Sequence, residues 1–182
     1  MDIPESVRQA LAELSRRLAK ISRGARWVPL EGAHLTVKFI GEVPTEKAAQ
    51  IQSALAEVRT ITPVDLRFAA LGFFPDAKRP RVFWAGIESN PALGELFVAI
   101  EARLAALGVA RETREFRPHI TLARFHSAEG MGPLHAAVEE LGMPEFGRLT
   151  TREFHLYQSV LQRARAEYTR LATYAFSREP AS

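Results

Sequence analysis

Two short segments of the sequence share one pattern of residue types: residues 34–37 are His-Leu-Thr-Val, and residues 119–122 are His-Ile-Thr-Leu. In an extended strand, side chains alternate between the two faces, so the histidine and the threonine share one face and the aliphatic residues share the other. The chain has five histidines, and this repeat contains two of them, 85 positions apart. The repeat therefore predicts two halves of one site.

Paired histidines and threonines are suited to proton transfer at an anionic substrate. Near neutral pH, one imidazole can remove a proton from a nucleophile while the other gives a proton to a leaving group. A threonine hydroxyl beside each imidazole can donate a hydrogen bond to an anionic oxygen. A phosphate diester needs both kinds of group at once, so the repeat predicts acid–base catalysis on a phosphodiester.

The histidines have two other interpretations. Each histidine alone could be a structural residue whose neutral ring meets a hydrogen-bonding partner. A metal site is the second alternative, but the sequence has no further ligands at metal-like spacing and no His-Glu-x-x-His helix. Threonine is also a poor ligand for the metals that favour imidazole. We therefore expect a site that works with neither a metal nor a cofactor.

The sequence around the two segments resembles the two-histidine (2H) phosphoesterase superfamily. Within it, the chain most closely resembles the bacterial and archaeal RNA 2′,3′-cyclic phosphodiesterases, also called 2′-5′ RNA ligases. The resemblance extends over about residues 4–176. It rests on the two segments and on the sequence beside and between them: 26–28 (Arg-Trp-Val), 38–43 (Lys-Phe-Ile-Gly-Glu-Val), 81–86 (Arg-Val-Phe-Trp-Ala-Gly) and 118–124 (Pro-His-Ile-Thr-Leu-Ala-Arg).

The resemblance implies hydrolysis of a 2′,3′-cyclic phosphate at an RNA end to a 2′-phosphate without a metal, with 2′-5′ ligation as the reverse reaction. It implies that His34 donates a proton to the 3′ oxygen and that His119 accepts a proton from water. We expect Thr36 and Thr121 to hold the non-bridging phosphate oxygens. Arg124, five residues after His119, is our candidate for a cation that binds substrate.

Other side chains are alternative candidates for the site. Arg117 and Arg81 are alternatives to Arg124, and Phe73 and Phe74 in a predicted loop are candidates for stacking on a nucleobase. Phe39 lies on the opposite face of its strand from His34, so we expect it in the core. The remaining histidines lack a threonine partner, and we expect surface or structural roles for them: His126, His135 and His155.

Composition agrees with a nucleic-acid substrate. The 182-residue chain has a net charge of +3, and 20 of its 24 basic residues are arginine. The planar guanidinium group of arginine can donate two parallel hydrogen bonds to the oxygens of a phosphate. A high-GC genome would equally favour arginine. There is no cysteine, no N-terminal signal pattern and no apolar run of about 18 residues. We expect a monomeric, soluble cytoplasmic protein with an RNA or nucleotide substrate and no membrane partner.

Hydrophobic periodicity predicts alternating helices and strands. Helices are expected over 4–24, 44–58, 91–107 and 133–141, and strands over 33–40, 64–71, 81–87, around 119, 146–161 and 168–176. The order of a helix followed by a histidine-bearing strand occurs twice. We therefore expect an α+β fold, residues 1–182 forming one domain of two pseudo-symmetric lobes. Each lobe would be an antiparallel-rich sheet with outer helices, and each would supply one His-x-Thr motif to a central cleft. Family members usually begin with a strand before the first helix, and this sequence opens where that strand would end.

Two rival functions fit the same residues. The first is a related 2H enzyme that acts on a small cyclic nucleotide or a 2′-5′ linked oligonucleotide, since these present the same phosphate to the same histidines. The second is a nucleotide-binding or RNA-binding module without turnover, since a binding module can retain catalytic motifs.

Overall fold

A computed structural model describes residues 1–22, 24–60, 62–127, 129–161 and 166–177. The elements in chain order are α1 (Glu5–Ala19), β1 (Ala25–Trp27), α2 (Thr45–Ala56), β2 (Val64–Phe74), β3 (Val82–Ser89), α3 (Pro91–Ala106), β4 (His119–Phe125), α4 (Gly132–Leu141), β5 (Glu145–Thr151), β6 (Glu153–Leu161) and β7 (Ala166–Ala175). Within the described ranges, no helix has the length and apolar character needed to cross a membrane.

The strands form two antiparallel sheets. The larger sheet has the order β1-β4-β3-β2-β5, and the smaller one pairs β6 with β7. Helices and both sheets contribute to one hydrophobic core, in which Phe68 and Phe83 of the larger sheet are fully buried. The predicted α+β fold with antiparallel sheets is confirmed.

Three helices begin and end within two residues of their predicted limits because the local signals are strong, whereas α1 ends at Ala19 and not at the predicted Gly24. Pro4 and Pro44 immediately precede α1 and α2, and Pro91 is the first residue of α3, where proline is favoured because the missing N–H has no helical partner. The buried residues of α1 recur at helical spacing and face the core: Val7, Leu11, Leu14 and Leu18.

The predicted strand over residues 33–40 is wrong. In the structure this segment pairs with another segment only around one isolated bridge, between Asp2 and His34, where Leu35 exchanges backbone hydrogen bonds with Met1. Further along, Lys38 forms a buried ion pair with Glu101 of α3, with 2.5 Å between Nζ and Oε1. A strand needs a partner along its length, and this segment leaves its partner to contact a helix instead.

Three smaller differences concern the sheets. The predicted strand over 146–161 is divided at Arg152 into β5 and β6, which belong to different sheets. Strand β2 continues to Phe74, so Phe73 and Phe74 lie in a strand and not in a loop. Phe39 is 78% exposed and not in the core, because the regular alternation on which its prediction depended does not extend that far.

Candidate active site

Strand β4 carries the second motif, and its pairing with β3 defines which side chains share a face. His119 lies opposite Gly86, Thr121 opposite Trp84, and Arg124 opposite Val82. Residues 82, 84 and 86 of β3 are two positions apart, so they share one face of the sheet. Residues directly opposite on neighbouring strands project from the same face. His119, Thr121 and Arg124 therefore share one face, which we call the motif face.

A β-bulge makes this arrangement possible. The register between β3 and β4 shifts by one residue between Thr121 and Ala123, and Leu122 and Ala123 are both fully buried. Strict alternation would have placed Arg124 on the face opposite His119. The extra residue reverses the alternation and turns the exposed Arg124 side chain towards the motif face.

The His119 ring is oriented by its own backbone. Its Nδ1 lies 2.7 Å from the carbonyl oxygen of Arg117. A carbonyl can only accept, so Nδ1 carries the hydrogen and donates it, and Nε2 is the nitrogen that can accept a proton. The ring of Phe74 packs edge-on against the imidazole with 5.0 Å between centroids.

Trp84, opposite Thr121, packs against the Phe74 ring that contacts His119. The centroid of its ring lies 5.1 Å from that of Phe74. The indole also packs against Gly72, where a Cβ atom would come within 2.3 Å of it. Only glycine leaves room for the ring at that position. The indole nitrogen is buried and has no hydrogen-bond partner among the described residues.

His34 is oriented in the same way as His119. Its Nδ1 lies 2.9 Å from the carbonyl oxygen of Gly32, again two residues earlier in the chain, so Nδ1 donates. Its Nε2 forms no hydrogen bond with the residues that the structure describes. Leu35 is 1% exposed while Thr36 is exposed, so the alternation expected for this motif holds locally. The two copies of the motif therefore match in backbone support as well as in sequence.

Two tyrosines from the smaller sheet enclose the His34 ring. Tyr157 of β6 stacks on the imidazole with 4.9 Å between centroids, and Tyr168 of β7 contacts it edge-on at 4.7 Å. Burial lowers the pKa of His34 below its ordinary value, and the hydrogen bond to Gly32 opposes that shift only in part.

Tyr157 is itself held by charged groups. Its hydroxyl donates to the carboxylate of Asp2, the residue whose backbone forms the bridge with His34. Arg170 forms an ion pair with the same carboxylate, and its guanidinium lies over the Tyr157 ring at 5.8 Å. Sequence reasoning missed Tyr157 and Arg170, because nothing local to either residue indicates the distant histidine.

The alternative arginines have other partners. Arg117 forms an ion pair with Glu115, and Arg81 donates to the carbonyl oxygen of His126. Arg124 forms no ion pair or hydrogen bond within the described part of the chain, so its side chain is available to an anion.

The other predicted candidates have structural environments. Phe73 packs against Phe83 with 5.1 Å between centroids, so it belongs to the core and not to a stacking surface. His135 contacts Phe73 edge-on, and the His155 side chain is only 3% exposed, with its Nδ1 3.1 Å from the Thr173 hydroxyl. No group of three or more His, Cys, Asp or Glu side chains in the described residues is placed to hold a metal ion.

An α+β fold that carries two matching histidine–threonine motifs, with an exposed arginine on the face of one of them, is the arrangement expected of a phosphoesterase. Residues 1–84 and 86–168 match the LigT-like phosphoesterase family, and the chain belongs to that family.

Named relatives and solved structures agree with this membership. The chain is 33% identical over 162 residues to the RNA 2′,3′-cyclic phosphodiesterase of Archaeoglobus fulgidus, covering 88% of this chain and 89% of the relative. It is 34% identical over 154 residues to the enzyme of the same name from Aeropyrum pernix, covering 84% and 87%. The fold is similar to that of a protein from Thermus thermophilus, with a TM-score of 0.79, 28% identity and coverage of 98% and 96%. It is also similar to E. coli LigT complexed with 3′-AMP, with a TM-score of 0.75, 26% identity and coverage of 98% and 95%.

Proposed function

We propose that this protein hydrolyses the 2′,3′-cyclic phosphate at an RNA end to a 2′-phosphate. The observation that carries the proposal is that His34 and His119 are oriented by the same kind of hydrogen bond to the backbone. In both, Nδ1 donates to the carbonyl oxygen two residues earlier, which leaves Nε2 of each ring to exchange a proton with the substrate. The names of the relatives indicate the substrate to which this chemistry is applied.

In the proposed reaction the two imidazoles act on opposite sides of phosphorus. Nε2 of His119 accepts a proton from water as the water oxygen bonds to phosphorus. The bond from phosphorus to the 3′ oxygen breaks, and Nε2 of His34 gives its proton to that oxygen. The products are a 2′-phosphate and a 3′-hydroxyl, and the two histidines return to their starting protonation states by exchange with solvent.

The remaining site residues stabilise negative charge on the phosphate. The hydroxyls of Thr36 and Thr121 donate to the non-bridging oxygens, and Arg124 supplies a positive charge on the face of His119 and Thr121. The anionic substrate favours the protonated form of the His34 ring. The lowered pKa of His34 makes the protonated ring a stronger acid, which fits the donor role.

The arrangement of the motifs supports one domain formed by residues 1–182, with His119 supplied by the larger sheet and His34 packed on the smaller one. All five proposed residues come from one chain, which supports a monomer, and an RNA substrate favours a cytoplasmic enzyme. E. coli LigT holds 3′-AMP, a ribose phosphate, which supports a nucleotide end as the ligand of the fold. The same groups acting in reverse would join an end carrying a 2′,3′-cyclic phosphate to a 5′-hydroxyl, so we propose 2′-5′ ligation as the back reaction.

A substrate panel tests the proposal. The protein is incubated with an RNA oligomer that ends in a 2′,3′-cyclic phosphate, with 2′,3′-cyclic mononucleotides and with 2′-5′ linked dinucleotides. Products are compared with synthetic 2′- and 3′-phosphate standards. We expect the oligomer to give the 2′-phosphate alone. Formation of the 3′-phosphate would reverse the assigned cleavage, and turnover of none of the substrates would favour a binding module.

A further inference from the structure

A second arginine lies beside Arg124 on the motif face. Strand β1 pairs with β4 so that Arg26 is directly opposite Arg124. Residues directly opposite on antiparallel strands project from the same face, so Arg26 shares the face of His119 and Thr121. The side chain is exposed and forms no ion pair or hydrogen bond with any residue that the structure describes.

The neighbour of Arg26 fixes this orientation independently. Trp27 packs edge-on against the fully buried Phe83, with 6.0 Å between centroids, on the core side of the sheet. Successive side chains of a strand point to opposite faces, so Arg26 points away from the core. The direction of Arg26 is therefore set by the packing of β1 and does not depend on the register with β4 alone.

Two like charges directly opposite one another destabilise a pair of strands. Arg26 and Arg124 form such a pair, and neither has a carboxylate partner among the described residues. The pair becomes favourable when an anion with more than one charge binds over it. Arg26 is also on the outermost strand of the larger sheet, about 5 Å beyond Arg124 in the direction of the backbone hydrogen bonds.

We propose that Arg26 binds the phosphodiester that joins the cyclic-phosphate nucleotide to the preceding nucleotide of the RNA. The inference rests on the proposed function, in which Arg124 serves the reacting phosphate. A second guanidinium on the next strand is placed for the next phosphate of the chain, and its planar fork can donate two hydrogen bonds to phosphate oxygens. The subsite would make the enzyme prefer RNA ends over cyclic mononucleotides, which have no such phosphodiester.

The test compares two substrates across matched variants. The substrates are a trinucleotide with a 2′,3′-cyclic phosphate end and a 2′,3′-cyclic mononucleotide without a 5′-phosphate. The variants are Arg26→Gln and, as a control of equal charge change, Arg16→Gln, which removes an exposed arginine of α1 paired with Glu13. Thermal unfolding of each variant confirms that it is folded.

We expect Arg26→Gln to lower kcat/KM for the trinucleotide by about tenfold, mainly through KM, as one charge-assisted contact to phosphate is lost. The mononucleotide should be unaffected, and Arg16→Gln should change neither substrate. The slope of log kcat/KM against log salt for the trinucleotide should become shallower by about 0.7, the value for one phosphate contact on a single strand.

Two results would overturn the subsite. An equal loss on both substrates would place Arg26 at the reacting phosphate, and no loss on either would leave it outside the site. If the wild type turned over neither substrate, the proposed function would fail separately. The subsite would then be tested by measuring the affinity of the protein for a trinucleotide 2′-phosphate and for a nucleoside 2′-phosphate. Weaker binding of the trinucleotide alone by Arg26→Gln would support it, and unchanged binding would overturn it.

Discussion

The imidazole of His34 and the ring of Tyr157 are stacked, with 4.9 Å between their centroids and 19° between their planes. Tyr157 comes from β6, and its hydroxyl donates to Asp2, whose backbone is bridged to His34. The Tyr157 ring that buries His34 is thus held by Asp2, and the backbone of Asp2 is in turn paired with that of His34. Because burial is the main cause of the lowered pKa of His34, this contact links the smaller sheet to the proton affinity of the proposed donor.

The first prediction concerns that contact. Tyr157→Ala should expose the imidazole and raise the pKa of His34 towards its ordinary value of 6.5, because loss of burial favours the charged form. NMR titration of the His34 ring measures this directly. Tyr157→Phe keeps the stacked ring and should leave most of the shift in place. An unchanged His34 titration in Tyr157→Ala would show that the stacking does not set the pKa.

The second prediction concerns the pH dependence of turnover. A proton donor is active only below its pKa, so kcat/KM should decrease as the pH rises through the pKa of His34 in the free protein. The midpoint of that decrease should lie below pH 6.5. An anionic diester favours the protonated ring, so the corresponding limb of kcat should lie at higher pH. A rate that rises steadily to high pH would indicate direct hydroxide attack instead.

The third prediction tests the close packing of Trp84. Gly72→Ala places a methyl group within 2.3 Å of the indole, so the ring or the strand must shift. We expect a loss of about 1 to 3 kcal/mol in the free energy of unfolding and a change in tryptophan fluorescence. Gly94→Ala in α3, where a Cβ atom meets nothing within 4 Å, should be neutral or stabilising. Equal stability of the two variants would contradict the packing.

The fourth prediction concerns metal ions. Because the proposed chemistry uses two imidazoles, two hydroxyls and a guanidinium, hydrolysis of the cyclic end should proceed at the same rate in EDTA as in untreated buffer. Initial rates with and without the chelator measure this. Loss of turnover on chelation, restored by a divalent cation, would assign the reaction to a metal-assisted mechanism.

Much of the fold follows from local signals. The positions of the helices, apart from the end of α1, follow from a buried stripe of period 3.6 and a proline at or next to the first turn, which are both encoded locally. The sharing of one face by His119 and Thr121 needs only the alternation of a strand. For these elements the sequence alone is sufficient.

Other features depend on partners that the local sequence does not reveal. The bulge after Thr121 comes from the register with β3, and without it Arg124 would lie on the wrong face. The strand predicted over 33–40 does not form, because pairing of this segment is confined to the residues around the bridge between Asp2 and His34. Tyr157 reaches His34 only through the packing of the smaller sheet. Each depends on contacts between segments far apart in the chain, which periodicity cannot predict.

The most direct test of the paired-histidine site is the turnover of a cyclic-ended RNA by His34→Ala, His119→Ala and the double variant, with His126→Ala as an exposed control. We predict that each single substitution lowers kcat by about a hundredfold to ten-thousandfold. The double variant should be far less impaired than the product of the single defects, because the two groups act in one proton transfer. His126→Ala should retain normal turnover. A folded His34→Ala or His119→Ala variant with near wild-type kcat would contradict the mechanism.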